Sequence, residues 1–251
     1  MEGIIVMRIF IPTRGRRHQQ ITRRFFPQAE MVVPACEADL WEERIVVPDC
    51  FNFSQIRQYI AKLPGDPNHV VIDDDLYFYQ RVNGHLETMT DVSEMIKWLQ
   101  DQFDEGYVHG GVSAREGNNW TEEDSKENGR CMRFHFYHAP TIIGEGLKFT
   151  DVKCRQDFHM TLSLLELGYP NIVSYKFAQN QPGSAKKGGC DWYRTPEMMK
   201  EEAEKLRVLH PDVVRVVEKT TKGSWGGGTR TDVRIQWQKS FCSKEQERKL
   251  C

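Results

Sequence analysis

Three consecutive aspartates, Asp73, Asp74 and Asp75, have the clearest chemical potential in this chain of 251 residues. Adjacent carboxylates repel one another unless a cation or several hydrogen-bond donors compensate them. Because side chains alternate along a strand, we expect Asp73 and Asp75 on one side and Asp74 on the other. Two carboxylates on one side suit Mg²⁺ or Mn²⁺, which keep coordination sites open for phosphate oxygens. The run predicts a metal site at Asp73 and Asp75; the alternative is a solvated acidic turn.

A second candidate is a basic, glycine-rich segment in the last third of the chain. Lys186 and Lys187 precede Gly188 and Gly189, and Arg194 follows. Glycines allow the backbone to approach a ligand closely, and lysines supply positive charge. The segment suits phosphate, although many surface loops have the same composition.

The aspartate run follows an apolar segment that predicts a buried strand. Residues 4–11 form a first such strand, ended by Pro12, and residues 69–72 lead directly into Asp73. Further short strands are predicted at 31–33 and 44–47. In open α/β sheets, ligands bind at the carboxyl ends of the strands, so the aspartates stand where a ligand is expected.

The remaining pattern alternates strands with helices and predicts an α/β fold with a mostly parallel sheet. Helices are predicted at 18–26, from a cap at Asn52 or Ser54 to Leu63, and at 91–103, 158–167 and 196–209. Strands are predicted at 132–137, 139–143 and 172–175, and the tail alternates at 213–217 and 233–237. Residues 111–130 and 179–189 are predicted to be loops, the first a mobile loop or lid.

The composition is that of a globular protein, with 39% hydrophobic and 28% charged residues. No apolar run approaches the roughly 18 residues that span a bilayer, and seven cysteines without a CxxC pair favour free thiols in a reducing cytoplasm. The net charge of −2 does not indicate nucleic-acid binding, although the segments near both ends of the chain are basic. We therefore expect a soluble, cytoplasmic protein.

Two motifs carry a resemblance to a known family. The sequence Pro12-Thr13-Arg14-Gly15-Arg16 after the first strand, and the strand ending in Asp73-Asp74-Asp75, resemble the start and the DxD motif of GT-A glycosyltransferases. This resemblance implies a GT-A-like single domain with a Rossmann-like, mostly parallel central sheet flanked by helices. It implies that Pro12, Thr13, Arg14 and Arg16 border the nucleotide. It further implies that Asp74 meets the nucleotide-sugar and that Asp73 and Asp75 hold Mn²⁺ or Mg²⁺, with a UDP-sugar as the expected donor.

The same resemblance assigns two further roles. Asp157 stands at the head of a helix, where the family places an acidic pair facing the acceptor, and Gln156 departs from the usual Glu-Asp pair. The resemblance implies that Asp157 is the general base, whereas the alternative is an acid favoured by the helix dipole. Lys187, Gly188, Gly189 and Arg194 become candidates for a clamp on the donor diphosphate.

A narrower resemblance concerns the acceptor. Three short segments resemble those of phage-type glycosyltransferases associated with TET/JBP dioxygenases. They are Gly188-Gly189-Cys190, Tyr193-Arg194-Thr195 and residues 230–237. This implies a 5-hydroxymethylpyrimidine in DNA as the acceptor, in the cytoplasm of a bacterial host, with no membrane or protein partner. The target base would be flipped, and basic residues at both ends would contact the DNA backbone. These residues include Arg23, Arg24, Lys219, Lys222, Arg230 and Arg234.

We expect residues 1–180 to form the nucleotide-sugar-binding core with the acceptor region, and 181–251 to be an extension of the same domain that closes the donor site. Two other functions stay open. A metal-dependent nucleotidyltransferase also combines a nucleotide-binding sheet with acidic metal ligands. A non-enzymatic DNA-binding module would use the basic ends alone.

Overall fold

The structure, a computed structural model, describes residues 7–118, 121–182, 190, 192–221 and 228–241. Ten strands of the described residues form one sheet. They are β1 (Arg8–Pro12), β2 (Glu30–Pro34), β3 (Arg44–Val47), β4 (Asn68–Ile72), β5 (Tyr77–Val82), β6 (His85–Thr88), β7 (His109–Ala114), β8 (Ser125–Glu127), β9 (Phe134–His138) and β10 (Ile172–Asn180).

The sheet is mixed and mostly parallel in strand direction. Its order is β3-β2-β1-β4-β9-β7-β10-β5-β6, and β8 pairs with β10. The pairings of the described strands make β5, β8 and β9 run opposite to the other seven. Because β1 and β4 are parallel neighbours, the loop after Pro12 and the aspartate run after Ile72 emerge at the same edge.

Helices cover both faces of the sheet. The α-helices are α1 (Phe53–Ala61), α2 (Ser93–Asp104), α3 (Arg115–Asn118), α4 (Ala139–Gly144), α5 (Gln156–Glu166), α6 (Pro196–Leu209) and α7 (Trp237–Ser240). Strand β1 is buried on both faces: Ile9 and Ile11 pack in one core cluster and Phe10 in the other. Helix α2 contributes to the first cluster, and α1 and α5 contribute to the second.

The C-terminal part packs against α5. Strands β11 (Val214–Thr221) and β12 (Gly228–Ile235) form a separate antiparallel pair. Phe158 and Leu162 of α5 form a third core cluster with Leu206 of α6, Val214 of β11 and Val233 of β12. No helix in the described part of the chain is long and apolar enough to cross a membrane.

Three local predictions are wrong. Residues 139–143 form α4 instead of a strand, because Pro140 in the first turn favours a helix start. The predicted lid at 111–130 contains most of β7, then α3 and β8. Gly111, one of the glycines that suggested a loop, instead allows close strand packing, because a Cβ atom there would lie 2.3 Å from Phe134 O. Residues 18–26 form two short 3₁₀ turns, Arg17–Gln19 and Thr22–Arg24, instead of one helix.

The predicted loop from Gln179 is displaced, because β10 extends to Asn180. The hairpin of β5 and β6 is absent from the predictions, although its turn residues signal it. Asn83 and Gly84 have φ of 49° and 81°, as the two central residues of a type I′ turn require.

Candidate active site

The aspartate run lies in a turn that is held by Thr22. The strand ends at Ile72, and Asp73 N donates to Arg133 O at 2.9 Å. Thr22 Oγ1 donates to Asp73 O at 2.6 Å and accepts from Leu76 N at 2.9 Å. These bonds fix the backbone of the run, so the directions of its side chains are set by the turn.

Asp74 is bound by the loop that follows β1. Thr13 Oγ1 donates to its Oδ2 at 2.6 Å, and Arg16 Nη1 donates to its Oδ1 at 2.8 Å. The same Arg16 nitrogen donates to Asp75 Oδ2 at 2.9 Å. Asp74 and Asp75 therefore converge on one guanidinium. The predicted alternation, with Asp74 opposed to Asp73 and Asp75, is wrong because the run begins after the strand has ended.

Asp73 faces a different arginine. Arg57 Nη2 of α1 lies 3.7 Å from Asp73 Oδ1, and Arg57 is almost fully buried. Burial raises the pKa of Asp73 to about 7, Arg57 opposes this shift, and the neighbouring aspartates reinforce it. Burial also raises the pKa of Asp74, against the opposing effects of Arg16 and Thr13.

The run fits a divalent cation that shares its coordination with a ligand. Within the described ranges, no group of three or more His, Cys, Asp or Glu side chains is arranged to hold a metal alone. Asp73 Oδ1, however, is buried without a hydrogen-bond partner among the described residues. Because Mg²⁺ is commonly held by one or two carboxylates together with substrate phosphates, Asp73 and Asp75 suit such a site.

A cleft of about 730 Å³ brings the predicted residues together. This volume lies in the range of small-ligand sites. The predicted residues that line it are Pro12, Thr13, Arg14, Arg16, Asp73, Asp74, Asp75, Asp157 and Arg194. Lys187, Gly188 and Gly189 lie outside the described residues. Among the described residues that line the cleft, nine are Arg or Lys and six are Asp or Glu, so this lining favours an anionic ligand.

Asp157 is the second residue of α5 and is largely buried, with 17% of its side chain exposed. Its Oδ1 accepts from Phe158 N at 3.0 Å, and its Oδ2 lies 3.9 Å from His135 Nε2 of β9. Arg155 precedes α5 with φ of 61° and donates to Met199 O and Thr231 O. The start of α5 is thereby tied to the C-terminal part of the chain.

The aromatic and basic residues at the rim are partly engaged within the protein. The guanidinium of Arg14 lies 4.6 Å from the ring centroid of Trp192, whose side chain is exposed. Arg230 lines the cleft and lies 3.5 Å from Asp232, which also pairs with Lys219 at 2.8 Å. Lys222 lies outside the described residues.

Sequence reasoning missed several basic residues at or next to the cleft, among them Arg57, Arg133, His135 and Arg155. Arg57 sits on a helix, where an arginine predicts an exposed position, and its burial depends on long-range packing. Arg133 has φ of 66°, and its Nη1 is buried without a hydrogen-bond partner among the described residues. The only available signal for Arg133 and Arg155 was their position next to a strand or helix that carries a site residue.

No family model and no curated protein matches the chain. In fold it is similar to glucosyl-3-phosphoglycerate synthase from Mycobacterium tuberculosis in complex with Mn²⁺, uridine diphosphate and phosphoglyceric acid, with a TM-score of 0.48, 11% identity, and coverage of 93% of this chain and 90% of that chain. It is also similar to the mannosyltransferase PcManGT from Pyrobaculum calidifontis in complex with GDP-Man and Mn²⁺. The TM-score is 0.47 and the identity 11%, and the match covers 82% of this chain and 64% of that chain. For TarS of S. aureus the TM-score is 0.45 and the identity 11%, and the match covers 80% of this chain and 65% of that chain. The chain spans less than two thirds of the length of the last two.

Proposed function

We propose that the protein is a GT-A-type glycosyltransferase that moves a sugar from a nucleotide-sugar to a hydroxyl acceptor with a divalent cation. One observation carries this proposal. The aspartate run at the end of β4, the Thr13–Arg16 loop at the end of β1 and Asp157 at the start of α5 line one cationic cleft. Metal-assisted glycosyl transfer requires acidic metal ligands, positive charge to bind a diphosphate, and a separate carboxylate that acts as the base.

The donor half of the cleft is formed by the loop after β1 and the aspartate run. Thr13 and Arg16 are fixed by their bonds to Asp74, so they present a preorganised edge to the nucleotide. Pro12 and Arg14 complete this edge, and Asp73 and Asp75 hold Mn²⁺ or Mg²⁺. When bound, the cation neutralises charge on the departing diphosphate. A UDP-sugar is the donor that we propose.

The acceptor half is formed around Asp157, which takes the proton from the attacking hydroxyl. Arg194, together with Lys187, Gly188 and Gly189, binds the diphosphate of the donor. Residues 181–251 close the donor site as part of the same domain. Several residues of this segment line the cleft, which supports its role in closing the donor site; they include Trp192, Arg194 and Arg230.

For the acceptor we propose a 5-hydroxymethylpyrimidine in DNA. The supporting observation is the basic pairing across the β11–β12 hairpin, where Arg215 lies opposite Arg234 and Lys219 lies opposite Arg230. Such side chains suit phosphate contacts, and the hydroxymethyl base would enter the cleft by flipping.

Product analysis tests the activity. The protein is incubated with Mn²⁺, a panel of nucleotide-sugars and DNA with or without 5-hydroxymethylcytosine, and the nucleotide products are separated. We expect release of a nucleoside diphosphate and mass gain of the modified DNA only. In a parallel incubation that supplies a nucleoside triphosphate and a sugar 1-phosphate, release of pyrophosphate would instead identify a nucleotidyltransferase. DNA binding that ignores both metal and nucleotide-sugar would indicate a binding module.

A further inference from the structure

A small cavity lies next to the cleft, at Asp157. Its volume is about 10 Å³, which is room for one water molecule. Arg57 and Asp157 line both the cleft and this cavity. His135 and Tyr137, two residues apart on β9 and therefore on one face of the strand, line the cavity as well.

Three side chains around this cavity have buried polar atoms without a hydrogen-bond partner among the described residues. These atoms are Arg57 Nε, His135 Nε2 and Tyr137 Oη. Buried polar groups in native proteins are nearly always satisfied, and ordered water satisfies those that protein groups do not reach. Three such atoms around one cavity of this size indicate a common partner.

The donor and acceptor count matches a single water molecule. Burial keeps His135 neutral by lowering its pKa well below the usual value, and Arg57 acts in the same direction. A neutral imidazole can accept at Nε2. Arg57 Nε and Tyr137 Oη donate, while His135 Nε2 and Asp157 Oδ2 accept, which uses the two acceptor and two donor sites of water.

We propose that one ordered water molecule bridges Arg57, His135, Tyr137 and Asp157, and that His135 and Tyr137 are positioning residues for Asp157. The direct separation of 3.9 Å between His135 Nε2 and Asp157 Oδ2 is too long for a hydrogen bond, so the bridge supplies the link. Through Arg57, which lies 3.7 Å from Asp73, the bridge also connects the acceptor half of the cleft to the donor half. The catalytic part of this inference rests on the proposed function, whereas the water site does not.

Crystal structures at high resolution test the water site directly. We expect density for one water molecule within hydrogen-bonding distance of all four side chains in the wild type. Tyr137→Phe keeps the shape of the ring and removes one donor, so the water should be lost or displaced. Tyr107→Phe, whose hydroxyl donates to the exposed Glu127, is the matched control and should leave the cavity unchanged. A wild-type cavity without water, or side chains paired directly with one another, would overturn the proposal.

Kinetics test the positioning role. With the nucleotide-sugar that supports turnover, kcat should fall between about tenfold and a hundredfold in His135→Ala, the scale on which a misplaced catalytic group lowers a rate. The KM for the donor should stay unchanged, and His135→Gln, whose amide can reach the water, should recover part of kcat. An unchanged kcat in His135→Ala would overturn the positioning role. If the wild type turns over no donor, the proposed function fails, and the crystal structures alone decide the water site.

Discussion

The hydroxyl of Thr13 links the loop after β1 to the aspartate run after β4, because it donates to the buried Asp74 at 2.6 Å. Thr13→Val keeps the branched shape and removes this donor. We expect a loss of about 1–3 kcal/mol in the free energy of unfolding, the cost of leaving a buried acceptor without its partner. Urea denaturation measures it. Thr88→Val, at an exposed position of β6, should stay within about 0.5 kcal/mol of the wild type. An equally small effect at Thr13 would contradict the role of this bond.

Asp157 is the residue that we propose as the general base of the transfer. Asp157→Asn keeps the size of the side chain and removes the base, so kcat should fall by about 10² to 10⁴. Binding of the nucleotide with Mn²⁺ should remain, because the donor half of the cleft is untouched. Titration of the nucleotide alongside steady-state turnover separates these effects. Asp212→Asn, at an exposed carboxylate, is the control. A variant at Asp157 with full turnover would remove it from the mechanism.

At the scale of elements, helix α1 matters because it carries Arg57 into the site. Asn52 caps this helix with a capping box: its side chain accepts from Gln55 N, and the Gln55 side chain accepts from Asn52 N. Asn52→Ala should lower the free energy of unfolding by about 0.5–2 kcal/mol. Asn52→Ser, which retains a capping oxygen, should recover most of the loss. Thermal or urea unfolding checks both, and equal stabilities of the two variants would show that the cap is not limiting.

The packing of β7 between β9 and β10 depends on Gly110. A Cβ atom there would stand 2.2 Å from Ile172 O and 2.6 Å from the ring of Phe136. Neither the backbone carbonyl nor the packed ring can move away without disturbing the sheet or the core. We therefore expect Gly110→Ala to destabilise the protein by about 1–3 kcal/mol or more. Gly117→Ala, with no atom within 4 Å, is the control and should be neutral or slightly stabilising in the same denaturation assay. A neutral Gly110→Ala would contradict the strand packing described above.

The elements that could be predicted are those with a strong local signal. The apolar runs of β1 and β4 and the proline at the end of β1 predicted where two strands end, and so where the aspartates stand. Residues 139–143 share the same apolar character, but Pro140 and the packing of the segment make it α4. Local pattern fails there because a short apolar run fits a buried helix and a buried strand equally well.

The site could be predicted only where its residues are local in sequence. Arg57 and His135 reach it through contacts between α1, β4, β9 and α5, which no spacing along the chain reveals. The cationic character of the cleft was hidden for the same reason. Its basic residues are dispersed from Arg14 to Arg230, and the whole chain has a net charge of −2.

For the whole molecule, stability should depend on pH through buried histidines. Burial lowers the pKa of His109 to about 4 from its ordinary value near 6.5, so the unfolded chain binds more protons between these values. The contribution of His109 is therefore fully present above pH 6.5 and is lost as the pH falls towards 4. Urea denaturation across this range should show a shallower pH dependence in His109→Gln than in the wild type. Identical slopes would contradict a buried neutral His109.

The central claim is a donor site that needs both a cation and a nucleotide. Thermal melting of the wild type, Asp75→Asn and Asp212→Asn with Mn²⁺, nucleoside diphosphates and nucleotide-sugars, singly and together, tests it most directly. The account predicts that Mn²⁺ with one nucleotide raises the Tm by several degrees, because the pair binds only the folded state. Neither raises the Tm alone, because the carboxylates and the diphosphate share the coordination of the cation. Asp212→Asn should keep this shift. Asp75→Asn should lose it while melting near the wild type without ligand. No shift with any nucleotide, or an equal shift in Asp75→Asn, would contradict the proposed glycosyltransferase site.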